Sequence, residues 1–163
     1  MKHANHKPIQ CEQNIDSLHY QHGKEFLPQH IIWNDSYSVG NKELDEHHKR
    51  LFSILNEACD ACAHGNFKAF SLILDKLLDY VLYHFEAEEN YMKSIKYPEI
   101  EAHQIEHQQF TEKLIGYHRM VFDNNEFYSL KLVDLTNTIY EWLCEHILIK
   151  DLQFSCAFFK REE

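Results

Sequence analysis

The chain has 163 residues, 44% of them aliphatic, aromatic or cysteine, which is enough for one domain with a packed core and too few for two of ordinary size. Its formal charge of -10, from 26 acidic against 16 basic residues, argues against a nucleic-acid partner, because a phosphate backbone recruits basic surfaces. No run of about 18 apolar residues occurs and the first residues show no signal-peptide core, so the expectation is a soluble, cytoplasmic protein without membrane insertion.

Residues 1–40 show no sustained periodicity, contain Pro8, Gly23, Pro28 and Gly40, and read as an irregular N-terminal arm. Its histidines, His3, His6, His19, His22 and His30, read as solvated polar residues. The second half is richer in apolar groups, and Ile31, Ile32, Trp33 and Tyr37 are expected to pack on the bundle. That bundle is expected from 41 to 163, with helices at about 41–64, 67–95, 98–122 and 126–150. The first seam is Leu44, His48, Leu51, Leu55, Ala58 and Cys62, with Asn41 as N-cap and Gly65 as stop. Phe70, Leu74, Leu77, Val81, His84, Glu88, Tyr91 and Ile95 form the second. Pro98 fits the first turn of the third helix, whose seam is Ile100, His103, His107, Phe110, Leu114, Tyr117 and Val121, ended by Asp123, Asn124 and Asn125. Leu132, Leu135, Ile139, Trp142, His146 and Ile149 form the fourth. Only 4 Gly and 3 Pro, with short links between long helices, predict an all-α, up-down-up-down antiparallel four-helix bundle. The five cysteines, Cys11, Cys59, Cys62, Cys144 and Cys156, are odd in number and mostly sit in apolar segments, so free thiols are expected; the Cys59–Cys62 CxxC is assigned to packing.

Six polar side chains, His48, His84, Glu88, His103, His107 and His146, occupy seam positions where Leu or Ile would serve an ordinary bundle. Burying each without a partner costs about 2–7 kcal/mol, so they must satisfy one another or a shared ion. Antiparallel packing brings all six to one end, and the His84/Glu88 and His103/His107 pairs, spaced i, i+4, each stack on one helical face. His47, His64 and His118 fall off the seams and read as surface or boundary residues. The set offers too many groups and no thiolate for a closed zinc tetrahedron. Its five imidazoles make it poorer in carboxylates than ferritin-like di-iron sites, which suits iron and favours reversible oxygen binding over oxygen activation.

The segments LDEHHKRLF (44–52), YHFEAEENYM (83–92), HQIEH (103–107) and WLCEHILIKD (142–151) resemble the hemerythrin family, in particular its bacterial members, over about 31–155. The resemblance implies seven metal ligands, His48, His84, Glu88, His103, His107, His146 and Asp151. Periodicity does not select Asp151, which an α-helix would rotate about 140° from His146. The same resemblance implies two iron ions bridged by Glu88, Asp151 and an oxo or hydroxo group, with His103, His107 and His146 on one iron and His48 and His84 on the other, where dioxygen binds reversibly. Leu143 resembles the family's pocket leucine, and Phe85, Trp142 and Trp33 are candidates to close that oxygen pocket. The implied role is oxygen storage, delivery or scavenging, without an enzymatic reaction; a di-iron peroxide or nitric oxide reductase, and a sensor acting through a protein partner held by the N-terminal arm, stay open.

Overall fold

Capping chemistry sets the helix ends. The Asn41 side chain accepts from the backbone N–H groups of Glu43 and Leu44 and starts α1, Lys42–Ala63. Gly65, at φ 59°, ends it: the N–H of Gly65 returns to Cys62 O and that of Asn66 to Ala61 O. Asn66 then caps α2, Phe67–Ser94, by accepting from Ala69 N–H. Lys96 makes the same kind of left-handed stop at φ 52°, with the N–H of Tyr97 bonded to Met92 O. Pro98 lies just outside α3, Ile100–Asp123, and not in its first turn; the backbone is already committed to the stop that ends α2.

The computed structural model describes residues 29–123 and 129–154, so the expected break at Asn124 and Asn125 and the histidines His3, His6, His19 and His22 lie outside the described residues. The last helix, α4, spans Ser129–Glu145 and passes into a π-helical segment, His146–Asp151. All the regular elements among the described residues are helical, and α1 packs against α2 and α4 while α2 packs against α3. The molecule is an all-α, up-down-up-down four-helix bundle.

The first three seams are buried where periodicity placed them through Cys62, Glu88 and Leu114, and only partly buried at the ends, at Tyr91, Ile95, Ile100, Tyr117 and Val121. In the fourth, Leu132, Leu135, Ile139 and His146 are buried, but Leu143 and Ile147 fill the core at 0% exposure while Trp142 and Ile149 lie at its boundary. Leu143 follows Ile139 by one ordinary α-turn, and the wider turn that begins at His146 carries Ile149 out to the boundary. A smaller cluster of Val39, Leu44, Met92 and Phe154 closes the end of the bundle below the polar seam residues.

Residues 30–37 lie along α1. The Asn56 side chain clamps the Ile31 backbone, accepting from its N–H and donating to its carbonyl, each at 2.9 Å. His30 Nε2 meets Asp60 Oδ1 at 2.9 Å. Trp33 and Tyr37 pack on Phe52, and Lys49 lies over the Trp33 ring. Ile32 departs from expectation and is 81% exposed, because the clamp on Ile31 turns its neighbour outward. Cys59, Cys62 and Cys144 are free and buried, and burial pushes the thiols of Cys59 and Cys144 up to about 12.

Candidate metal centre

His48 sits in the second turn of α1, His84 and Glu88 in the latter part of α2, His103 and His107 at the start of α3, and His146 directly after α4. Antiparallel packing therefore sets them at one level, where all six are buried. Asp151 joins them at 0% exposure. Its route inward is the π-helical segment: an i→i+5 turn returns residues five apart to nearly one face, so His146 and Asp151 point the same way where an α-turn would separate them.

Two overlapping groups result, each able to hold a metal ion: Glu88, His103, His107 and His146, and His48, His84, Glu88 and Asp151. The carboxylates face both. Asp151 Oδ1 is 3.5 Å from His103 Nε2 and 3.3 Å from His146 Nε2, while its Oδ2 is 3.3 Å from His48 Nε2. Glu88 Oε2 is 3.2 Å from His107 Nε2, 3.3 Å from His103 Nε2 and 3.8 Å from His84 Nε2, and its Oε1 is 4.0 Å from His48 Nε2. Adjacent donors bound at about 2.1 Å to one octahedral ion lie about 3 Å apart, so these spacings suit shared cations.

Proton placement supports the same fit. The Nδ1–H of His107 donates to Glu89 Oε1 at 3.0 Å, which leaves its Nε2 as a bare lone pair. That nitrogen lies 2.9 Å from His146 Nε2, whose own Nδ1 faces Glu106 Oε2 at 3.7 Å, an electrostatic contact rather than a direct hydrogen bond. The His107 lone pair thus points at His146 Nε2 beside the Glu88 carboxylate oxygen, where a cation could be shared by all three groups. Moreover, His48 Nε2, His84 Nε2, Glu88 Oε1 and both Asp151 oxygens are buried without a hydrogen-bond partner.

Charge states arise from the same surroundings. Burial drives the His84 imidazole well below its ordinary pKa, so it is neutral and ready to donate a lone pair. Burial would do the same to His48 and His103, but Asp151 and Glu88 opposite them outweigh it and raise both. Burial opposes ionisation of Glu88, yet the imidazoles of His84, His103 and His107 hold it well below the usual carboxylate range. His146 and Lys150 beside Glu106 bring that carboxyl to about 2.

Apolar and aromatic groups line the centre. Phe85 stacks on His107 at 3.6 Å between centroids, and Trp142 lies parallel to Phe110 at 3.7 Å and to His146 at 4.3 Å. Leu143 is 0% exposed. Trp33 meets Tyr37 and Phe52, on the arm side of α1. His47 corrects the expectation of a surface or boundary residue: it is buried at 6% exposure, its ring against Tyr83 and His84, and burial lowers its pKa. His64 is exposed and bonds the Asp60 carbonyl, and His118 pairs with Asp75. Glu89 and Glu106, which stand behind His107 and His146, were invisible to seam periodicity because they lie beside the seams; the acidic doublet Glu88–Glu89 was the one available signal.

A four-helix bundle with a buried, histidine-rich polar centre at one end defines a non-haem metal-binding protein. The family described as hemerythrin HHE cation binding domain matches residues 39–155, and the chain belongs to it. A bacteriohemerythrin of Clostridium acetobutylicum is 29% identical over 129 residues, covering 76% of this chain and 98% of that protein. A hemerythrin-like protein of Naegleria gruberi is 30% identical, covering 78% of this chain and 93% of its own. A solved wild-type hemerythrin superposes with a TM-score of 0.70 at 26% identity, over 78% of this chain and 97% of that one.

Proposed function

We propose that the chain binds dioxygen reversibly at a pair of iron ions held by His48, His84, Glu88, His103, His107, His146 and Asp151, serving oxygen storage, delivery or scavenging. The observation that carries this reading is Asp151, whose two carboxylate oxygens face imidazoles of different groups. When bound, the iron pair would supply an open coordination position and two exchangeable electrons. The chain's own residues set the conditions for reversibility. His84, held neutral, and Glu88, held well below the usual carboxylate range, supply donors without loose protons. Phe85 stacks on His107 and Trp142 on His146, and with the buried Leu143 they would exclude the water that promotes irreversible oxidation. With five imidazoles and two carboxylates, the centre has fewer anionic donors than oxygen-activating bundles, which favours release over cleavage of dioxygen.

The test is iron content per chain combined with oxygen-cycled spectra. Two irons, and a charge-transfer band that appears with oxygen and disappears on its removal, are expected. Irreversible bleaching would defeat the reading. Repeated turnover of peroxide or nitric oxide with a supplied reductant, without a reversible oxygen spectrum, would replace it by a reductase.

A further inference from the structure

The two groups of the centre differ in what stands behind their imidazoles. On one side, Glu89 Oε1 accepts the Nδ1–H of His107 at 3.0 Å and Glu106 Oε2 lies 3.7 Å from His146 Nδ1. Both carboxylates are themselves held, Glu89 by the side-chain amide of Gln104 and Glu106 by Lys150 Nζ at 3.0 Å. On the other side, the Nδ1 atoms of His48 and His84 are buried and have no hydrogen-bond partner. A carboxylate behind an imidazole locks the tautomer and ring orientation and makes the facing nitrogen a stronger donor; losing such a partner costs about 10–100-fold in metal affinity. Neither Glu89 nor Glu106 belongs to the groups that could hold an ion.

We infer that Glu89, with Glu106, is a positioning residue that makes the two metal positions unequal: the one bounded by Glu88, His103, His107 and His146 loads first and holds its ion, and the one bounded by His48, His84, Glu88 and Asp151 loads second and exchanges. The inference rests on the iron-pair reading of the centre. It adds an order of loading set by outer carboxylates on one side alone. His107 depends on Glu89 more than His146 does on Glu106, because only the first contact is at hydrogen-bonding distance.

The test is anaerobic titration of the full metal-free chain with ferrous iron against a competing chromogenic chelator, with Mössbauer spectra at one iron per chain. Wild type should bind in two steps and show one iron environment at the first. Glu89→Leu should weaken the first step by about 10–100-fold and spread the first iron over two environments. Glu89→Gln, which keeps an acceptor oxygen without the charge, should fall between, and carries the test if the Leu variant fails to fold. His84→Ala should lose the second step and keep the first. An unchanged first step in both Glu89 variants, or a His84→Ala chain that loses the first step, overturns the inequality while leaving the iron pair intact. A wild-type chain that binds fewer than two irons overturns the iron pair and this inference together.

Discussion

Metal removal should lower the stability of this bundle by an amount readable from its buried atoms. Five side-chain atoms facing the centre, His48 Nε2, His84 Nε2, Glu88 Oε1 and the two Asp151 oxygens, are buried with no hydrogen-bond partner. Each such atom costs about 1–3 kcal/mol in a metal-free fold, and since His48 Nε2 and Asp151 Oδ2 partly satisfy each other at 3.3 Å, roughly 5–15 kcal/mol is the gross ceiling. Water entering the emptied centre recovers much of this; with two thirds recovered, about 2–5 kcal/mol remains. At about 3 °C per kcal/mol for a chain of this size, chelation should lower Tm by about 5–15 °C. The assay is thermal unfolding followed by circular dichroism before chelation, after it, and after iron is restored, with iron content measured in each sample. A metal-free chain that melts within about 2 °C of the loaded one would refute the reasoning, since the orphaned atoms would then be satisfied without an ion.

The metal-free chain should also lose stability as pH rises from 7 to 9. His48 and His103 have folded pKa values raised above the ordinary 6.5, so in that window the folded chain holds more protons than the unfolded one and its advantage is lost as pH climbs through the raised values. His47 and His84, whose folded values lie below 6.5, work the other way only near pH 7, where their unfolded counterparts still hold some protons, and add no slope above about pH 8. A Tm that rises over the upper part of this window in metal-free protein would contradict the charge assignment. Leu143→Ala, at a position with 0% exposure, should cost about 2–5 kcal/mol and quicken irreversible oxidation of the oxygenated protein; a bleaching rate equal to wild type in a folded variant would remove Leu143 from the oxygen pocket. Gly65→Ala should cost about 1–2 kcal/mol in denaturant unfolding, because φ is 59° while an added Cβ meets nothing within 4 Å, leaving backbone strain as the sole penalty.

Much of the architecture was legible in the chain because it rests on local rules. Helical seams arise from a period of 3.6, and Asn41 and Gly65 act within one turn of where they stand. The gathering of His48, His84, Glu88, His103, His107 and His146 was legible too, since polar groups at one level of an apolar seam are costly unless they share a purpose. Tertiary structure decided the rest. Asp151 reaches the centre through a π-helical segment, a departure from the regular period that no periodic reading can anticipate and that contacts from other helices, His48 and His103 among them, accompany. Leu143, not Trp142, continues the core one regular α-turn after Ile139, and the wider turn that begins at His146 carries Ile149 to the boundary. His47 is buried because Tyr80 and Tyr83 of α2 cover it, and Glu89 gains its place behind His107 only when α2 and α3 pack side by side. Local spacing determines which face a side chain shares; which neighbour meets that face depends on residues far away in the chain.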